Sequence, residues 1–156
     1  MVRYSLLLTV LKTQSLKTSY RSTRRAVFNL TVHIVLVTKY RRKVIDAQMI
    51  EQLSQVFDSV LKSWDSELIE FNCQADHAHL IVSYPPHKLL SSLIANLKAT
   101  SSKRMWLHHE SLLSKVYYKK RVFWTGAYFV ASCGEVTIDV LRKYVQNQDS
   151  PPPNKP

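Results

Sequence analysis

The sequence predicts an α+β domain with a ferredoxin-like (RRM-like) core, in which an antiparallel sheet is laid down in the order β-α-β-β-α-β and one further helix follows. Three observations carry this. A β-branched run over residues 27–39 precedes a strong helical stripe over 46–64. Two strand-like runs over 67–73 and 77–84 are separated by only three residues. A second apolar stripe and a fourth strand-like run then close the order.

Each element has a local cause. VFNLTVHIVLVTK (27–39) is rich in Val, Ile and Thr and ends at the charged turn KYRRK, as a strand would. Over 46–64, Met49, Ile50, Leu53, Val56, Phe57, Val60, Leu61 and Trp64 recur at helical spacing, with Asp46 placed as N-cap. Gln74-Ala75-Asp76 joins the next two strands as a hairpin turn. Pro85-Pro86 stops the second of them.

A helix is expected over 89–107, with Leu89, Leu90, Leu93, Ile94 and Leu97 on one side, and a loop over 108–121. FWTGAYFVAS (123–132) supplies the fourth strand, in which Trp124 and Tyr128 are expected in the core. Gly134 and Glu135 open a last helix over 136–148, and the tail DSPPPNKP cannot be helical. The expected organisation is a basic extension over 1–24, one domain over 25–149 and a Pro-rich tail over 150–156.

Charge narrows the partners. Lys and Arg number 22 against 11 Asp and Glu, a net +11 that suits a polyanion, nucleic acid first and an anionic membrane surface second. The two cysteines, Cys73 and Cys133, lie far apart without CxxC spacing, which argues against a disulfide framework or a cysteine zinc site. The apolar run near the N-terminus is short and lacks a cleavage site, and no run approaches the length of a membrane span. A soluble, cytoplasmic protein is expected.

Two stretches carry chemistry. In QADHAHLIVSY (74–84), His77 and His79 are two apart on a strand and so share a face, while Ala78, Leu80 and Val82 take the other. Two imidazoles at that spacing can converge on one cation but cannot complete its shell. Asp76 is either a third ligand or the partner that orients an imidazole. The competing reading is a pair of hydrogen-bonded surface histidines. His33, His108 and His109 are expected to pack or face solvent rather than bind metal.

In GEVTIDVLRKYVQNQ (134–148), Ile138, Leu141 and Val145 form a packing stripe. Val140, Tyr144 and Gln148 fall on a neighbouring face at i, i+4 and i+8. A phenol beside an amide oxygen suits a nucleophile next to a metal site. Arg142 and Lys143 place positive charge nearby. The plainer alternative is an amphipathic tyrosine with its hydroxyl in water.

These residues resemble the single-tyrosine HUH transposases, TnpA type, of the IS-two-hundred/IS-six-hundred-and-five group. The matching blocks are HIVLVTKYRRKV (33–44), DHAHLIV (76–82), LKATSSKRM (97–105), FWTGAYFVASCG (123–134) and KYVQNQ (143–148). HxH alone is a weak signal, but five blocks in order over residues 27–148 are a strong one. The resemblance implies a homodimer, with the tyrosine helix able to complete the partner's active site. It implies Mg²⁺ or Mn²⁺ held by His77, His79 and Gln148, with Tyr144 as nucleophile. It also implies single-stranded DNA carrying subterminal hairpins as substrate. Two departures stand out: the extension to Arg24 is long for the family, and Ala99 stands where glycine is frequent.

On that reading Lys39, Arg41, Arg42, Lys98, Lys103, Arg104, Lys119, Lys120 and Arg121 hold phosphates, and Tyr40, Tyr117 or Tyr118 stack on unpaired bases. Three alternatives compete. A domesticated relative would bind structured single-stranded nucleic acid without mobilising itself. An RRM-like RNA-binding module would want aromatics where the central strand has histidines. A metal-dependent phosphodiesterase using water would not need Tyr144.

Overall fold

The computed structural model describes residues 20–133. The short strands β1 (Arg21–Ser22) and β2 (Val27–Phe28) pair with each other as a small ribbon. The main sheet holds β3 (Thr31–Val37), β4 (Glu67–Cys73), β5 (His77–Ser83) and β6 (Phe129–Ser132), in the spatial order β4-β5-β3-β6, and every pairing is antiparallel. Helices α1 (Ala47–Ser63) and α2 (Leu90–Val116) complete the β-α-β-β-α-β core that the sequence predicts.

The core lies between the helices and one face of the sheet. Val32, Ile34 and Leu36 of β3 and Ala78, Leu80 and Val82 of β5 meet Met49, Leu53, Phe57 and Leu61 of α1 and Leu93, Ile94 and Leu97 of α2. The N-cap of α1 is as expected: the Asp46 carboxylate accepts from Met49 N at 2.8 Å. The hairpin turn closes with Gln74 N donating to the His77 carbonyl at 2.8 Å. Trp124 is buried, and its indole donates to Ser101 Oγ at 2.8 Å across from α2.

Four expectations are corrected. The first strand breaks into β2 and β3, because Arg21–Ser22 rather than the main sheet pairs with Val27–Phe28. The second helix runs nine residues past the expected end, to Val116, through a segment expected as loop. HHESLLSKV contains neither Gly nor Pro, and buried Leu113 anchors it to the core after a kink at His109. The fourth strand begins at Phe129, not Phe123; the preceding residues are irregular, held by a bridge from Thr38 to Trp124 and by Thr125 N donating to the Val37 carbonyl at 2.8 Å. Tyr128, expected in the core, is exposed and lies against Lys98.

The expected helix over 136–148, with Tyr144 and Gln148, lies outside the described residues, as do residues 1–19 of the N-terminal extension and the tail. Among the described residues no helix is long and apolar enough to cross a membrane.

Candidate functional site

The cross-strand register decides what stands beside the histidine pair. β3 pairs with β5 so that Val37 faces His77 and Val35 faces His79, which places His33 on the same face one pair further along. Phe129 and Ala131 of β6 pair with Val35 and His33 on that face. β4 reaches it through a bulge between Leu68 and Glu70. The slip returns Phe71 and Cys73 to the core side and turns Glu70 and Asn72 to the imidazole side. Burial raises the Glu70 carboxyl above its ordinary value.

His77 and His79 have ring centroids 4.9 Å apart and near-perpendicular planes. Both are buried, at 8% and 6% exposure, so they are not solvated surface groups. Nδ1 of His77 lies 2.6 Å from Oδ1 of Asp76. Nδ1 of His79 lies 3.0 Å from Nε2 of His33, the two rings stacked with centroids 5.2 Å apart. Nε2 of His77 is buried without a hydrogen-bond partner, an arrangement that costs free energy unless something else engages the lone pair. Burial pushes His79 down to about 3, helped by the neighbouring His33 and His77, and pushes His33 down to about 4. Both rings are therefore neutral at pH 7, the form that can ligate a metal.

A basic turn adjoins this pair. Lys39–Arg41 form a single 3₁₀ turn after β3, in which Tyr40 and Arg41 hold left-handed φ values of 58° and 53°. Such values strain non-glycine residues and persist only where the surroundings fix them. Here they are fixed from several sides. Thr38 N donates to the Asp76 carbonyl at 2.9 Å, Lys39 N to Phe123 O at 2.8 Å, and Ile45 N to Ala75 O at 3.0 Å. Thr38 Oγ1 donates to Arg42 O at 2.7 Å, and the Tyr117 hydroxyl to Lys39 O at 2.8 Å. The turn is thus sewn to the loop carrying Asp76, and Arg41 Nη2 lies 3.5 Å from Asp76 Oδ2.

Comparison with known proteins settles the lineage. Residues 26–148 match the family described as Transposase IS200 like, nearly four-fifths of the chain. The chain belongs to the IS200-like transposases.

Among relatives of this family, the ISDra2 transposase TnpA of Deinococcus radiodurans is 25% identical over 125 residues, covering 80% of this chain and 88% of that protein. The transposase for insertion sequence element IS200 of Salmonella typhimurium is 28% identical over 121 residues, 78% of each chain. The crystal structure of a candidate transposase from Deinococcus radiodurans R1 superposes with a TM-score of 0.67 at 23% identity, covering 82% of this chain and 97% of that one. That last likeness is one of fold.

The basic residues expected from the sequence divide into groups. Lys39, Tyr40, Arg41 and Arg42 occupy the strained turn beside Asp76, and Lys98 is close enough to Lys39 that the two charges, after burial, lower its pKa. Lys98 Nζ also donates to Gly126 O at 3.0 Å. Lys103 and Arg104 are exposed on α2, and Lys119 and Lys120 are exposed just after it. Arg121 is engaged by Glu110 and lies over the Trp106 ring.

Tyr40 and Tyr118 are exposed, at 73% and 76%, with Lys39 and Lys119 over their rings. Tyr117, expected to stack on a base, is instead buried, with its hydroxyl committed to the Lys39 carbonyl. His109 bonds Gln52 at 2.5 Å and His108 faces solvent. Asp76 lies against Nδ1 of His77, the kind of contact through which a carboxylate can orient an imidazole.

Sequence reasoning missed His33, Tyr128 and the pair Glu70 and Asn72 as neighbours of this region. Parity along β3 put His33 with Val35 and Val37, but only the register with β5 shows that this set meets the histidines.

Proposed function

We propose that this IS200-like transposase cleaves and rejoins single-stranded DNA at insertion-sequence ends, through a covalent 5′-phosphotyrosine formed on Tyr144. The phenol oxygen of Tyr144 attacks phosphorus, the bond from phosphorus to the 3′ oxygen breaks, and that oxygen takes a proton to leave as a 3′-OH. The phosphodiester energy stays in the phosphotyrosine, so a second 3′-OH can reverse the step and join a new strand. Neither nucleotide hydrolysis nor a catalytic water is needed.

The observation that carries the reading is the paired presentation of His77 and His79, with the buried Nε2 of His77 lacking any hydrogen-bond partner. That is the donor chemistry of an imidazole site for a divalent cation. The third donor on this reading is the amide oxygen of Gln148, four residues after Tyr144. Mg²⁺ or Mn²⁺ bound there would polarise the scissile phosphate and lower the cost of charge on its oxygens. His77, His79 and Gln148 would hold it, and Asp76 would orient His77.

The strained turn with Lys39, Tyr40, Arg41 and Arg42, together with Lys98, supplies phosphate contacts and an exposed aromatic beside that site. Lys103, Arg104, Lys119, Lys120 and Arg121 extend the positive surface. The substrate shape on this reading is a subterminal DNA hairpin, bound by a homodimer.

The test is a trapping gel with purified protein, Mg²⁺ or Mn²⁺ and labelled single-stranded DNA from the flanks of its own gene. Wild type should give a denaturant-resistant protein–DNA band that Tyr144→Phe and the double variant His77→Ala/His79→Ala lack. Cleavage that survives in Tyr144→Phe would replace the mechanism with hydrolysis by water. DNA that is shifted but never trapped would reduce the protein to a binding relative.

A further inference from the structure

His33 is a buried polar side chain on the central strand to which the mechanism above assigns no role. Its Nε2 stands 3.0 Å from Nδ1 of His79, inside a sheet face that also carries Phe129 at 6.3 Å between centroids. At that distance one of the two nitrogens carries the shared proton and the other accepts it. The direction is consequential. If His79 carries its proton on Nδ1, its Nε2 is a lone pair; if His33 donates, His79 is protonated on Nε2 and cannot ligate through it.

The neighbouring histidine offers a pattern. His77 Nδ1 lies 2.6 Å from a carboxylate oxygen, which accepts from it, while its Nε2 has no hydrogen-bond partner. For His79 the place of Asp76 is taken by an imidazole from the adjacent strand, reaching the same ring atom at a similar distance. Both rings have Nδ1 engaged within the fold.

We infer that His33 is a positioning residue: by accepting a hydrogen bond from Nδ1 of His79 it selects the tautomer and ring orientation in which Nε2 of His79 is the ligating atom. Asp76 serves His77 and His33 serves His79, so each member of the pair has its own orienting partner from a different element. The inference rests on the metal reading of the pair, and partners of this kind typically govern affinity without touching the ion.

The experiment uses the full chain and Mn²⁺ alone. Nitrogen-resolved NMR of histidine-labelled, metal-free protein reads the tautomer of His79 directly, and calorimetry reads Mn²⁺ affinity for wild type, His33→Phe, His33→Gln and His77→Ala/His79→Ala. Wild-type His79 should carry its proton on Nδ1. His33→Phe should weaken Mn²⁺ binding by roughly ten- to a hundredfold. His33→Gln, which keeps an acceptor oxygen, should recover most of that loss while melting at a temperature similar to the Phe variant.

A proton on Nε2 of His79 in wild type would overturn the inference, as would equal affinity in wild type, Phe and Gln variants. Should wild type bind Mn²⁺ no better than the double alanine variant, the metal reading itself falls, and the tautomer spectrum still judges His33 separately. If His33→Phe does not fold, wild-type tautomer and the affinity of His33→Gln decide.

Discussion

The Asp76 carboxylate is held 2.6 Å from Nδ1 of His77, while the backbone carbonyl of the same Asp76 accepts Thr38 N at 2.9 Å. The side chain thus meets the imidazole and, through its other oxygen, Arg41 at 3.5 Å, while the main chain anchors the turn. Replacing Asp76 with Ala removes both side-chain contacts and leaves the backbone anchor. Mn²⁺ affinity is expected to fall by roughly ten- to a hundredfold, with the melting temperature little changed because the backbone anchor remains. Calorimetric titration beside a thermal melt checks this, and an unchanged affinity would remove Asp76 from the site.

The left-handed pair Tyr40 and Arg41 predicts effects of opposite sign. Glycine at 40 relieves the strain, so stability should hold or rise, by no more than about 1 kcal/mol given the entropy glycine loses on folding. The same change deletes an exposed ring that Lys39 Nζ approaches to 5.3 Å from the centroid. Losing a stacking platform costs about 1–3 kcal/mol of single-strand affinity. Fluorescence anisotropy with an unstructured oligonucleotide and a denaturant melt read the two effects. A loss of stability together with affinity would mean the ring is structural instead.

Trp124 and Ser101 tie the irregular segment before β6 to α2. Trp124→Phe keeps most of the buried ring but loses the indole donor, and Ser101 Oγ still donates to Leu97 O at 2.6 Å, so no hydroxyl is orphaned. The expected cost is about 1–2 kcal/mol, set by one hydrogen bond and a small void. A urea titration would show it as a shifted midpoint at unchanged slope. A cost near zero would mean that segment is held elsewhere.

Cys133 should be unreactive in the folded protein. The thiol is buried, at 5% exposure, and burial pushes its pKa up to about 11. At pH 8 only about one molecule in a thousand carries the nucleophilic thiolate. Native protein is therefore expected to react slowly with a disulfide reagent, and to react fully in denaturant or as pH rises toward the thiol's own value. Rapid native labelling at position 133 would contradict the packing of Thr31 and Cys133, whose backbones bond at 2.8 Å.

Much of the fold was legible because binary pattern and local chemistry agreed. The stripe from Met49 to Leu61, the Asp46 cap and the three-residue turn before His77 were each readable within one element. The misses share a cause. Beyond His109 α2 buries only Leu113 fully, with Val116 partly packed and Leu112 exposed, so periodicity faded where packing continued. Tyr128 and Tyr117 exchanged their expected places, because which of several tyrosines is covered depends on segments far away in sequence, here the turn at Lys39.

The sequence by itself determined the alternation that puts His77 and His79 on one face, the excess positive charge and the order of elements, since these follow from side-chain period and composition. Only the tertiary structure decided what that face contains. Register between β3 and β5 brought His33 to Nδ1 of His79, and a bulge in β4 turned Glu70 and Asn72 toward the same side. A shift of one residue in either pairing would have sent those side chains to the opposite face. Register is fixed by the packing of Ile34, Leu36 and Leu80 under the helices, a property of the assembled core that no single strand encodes.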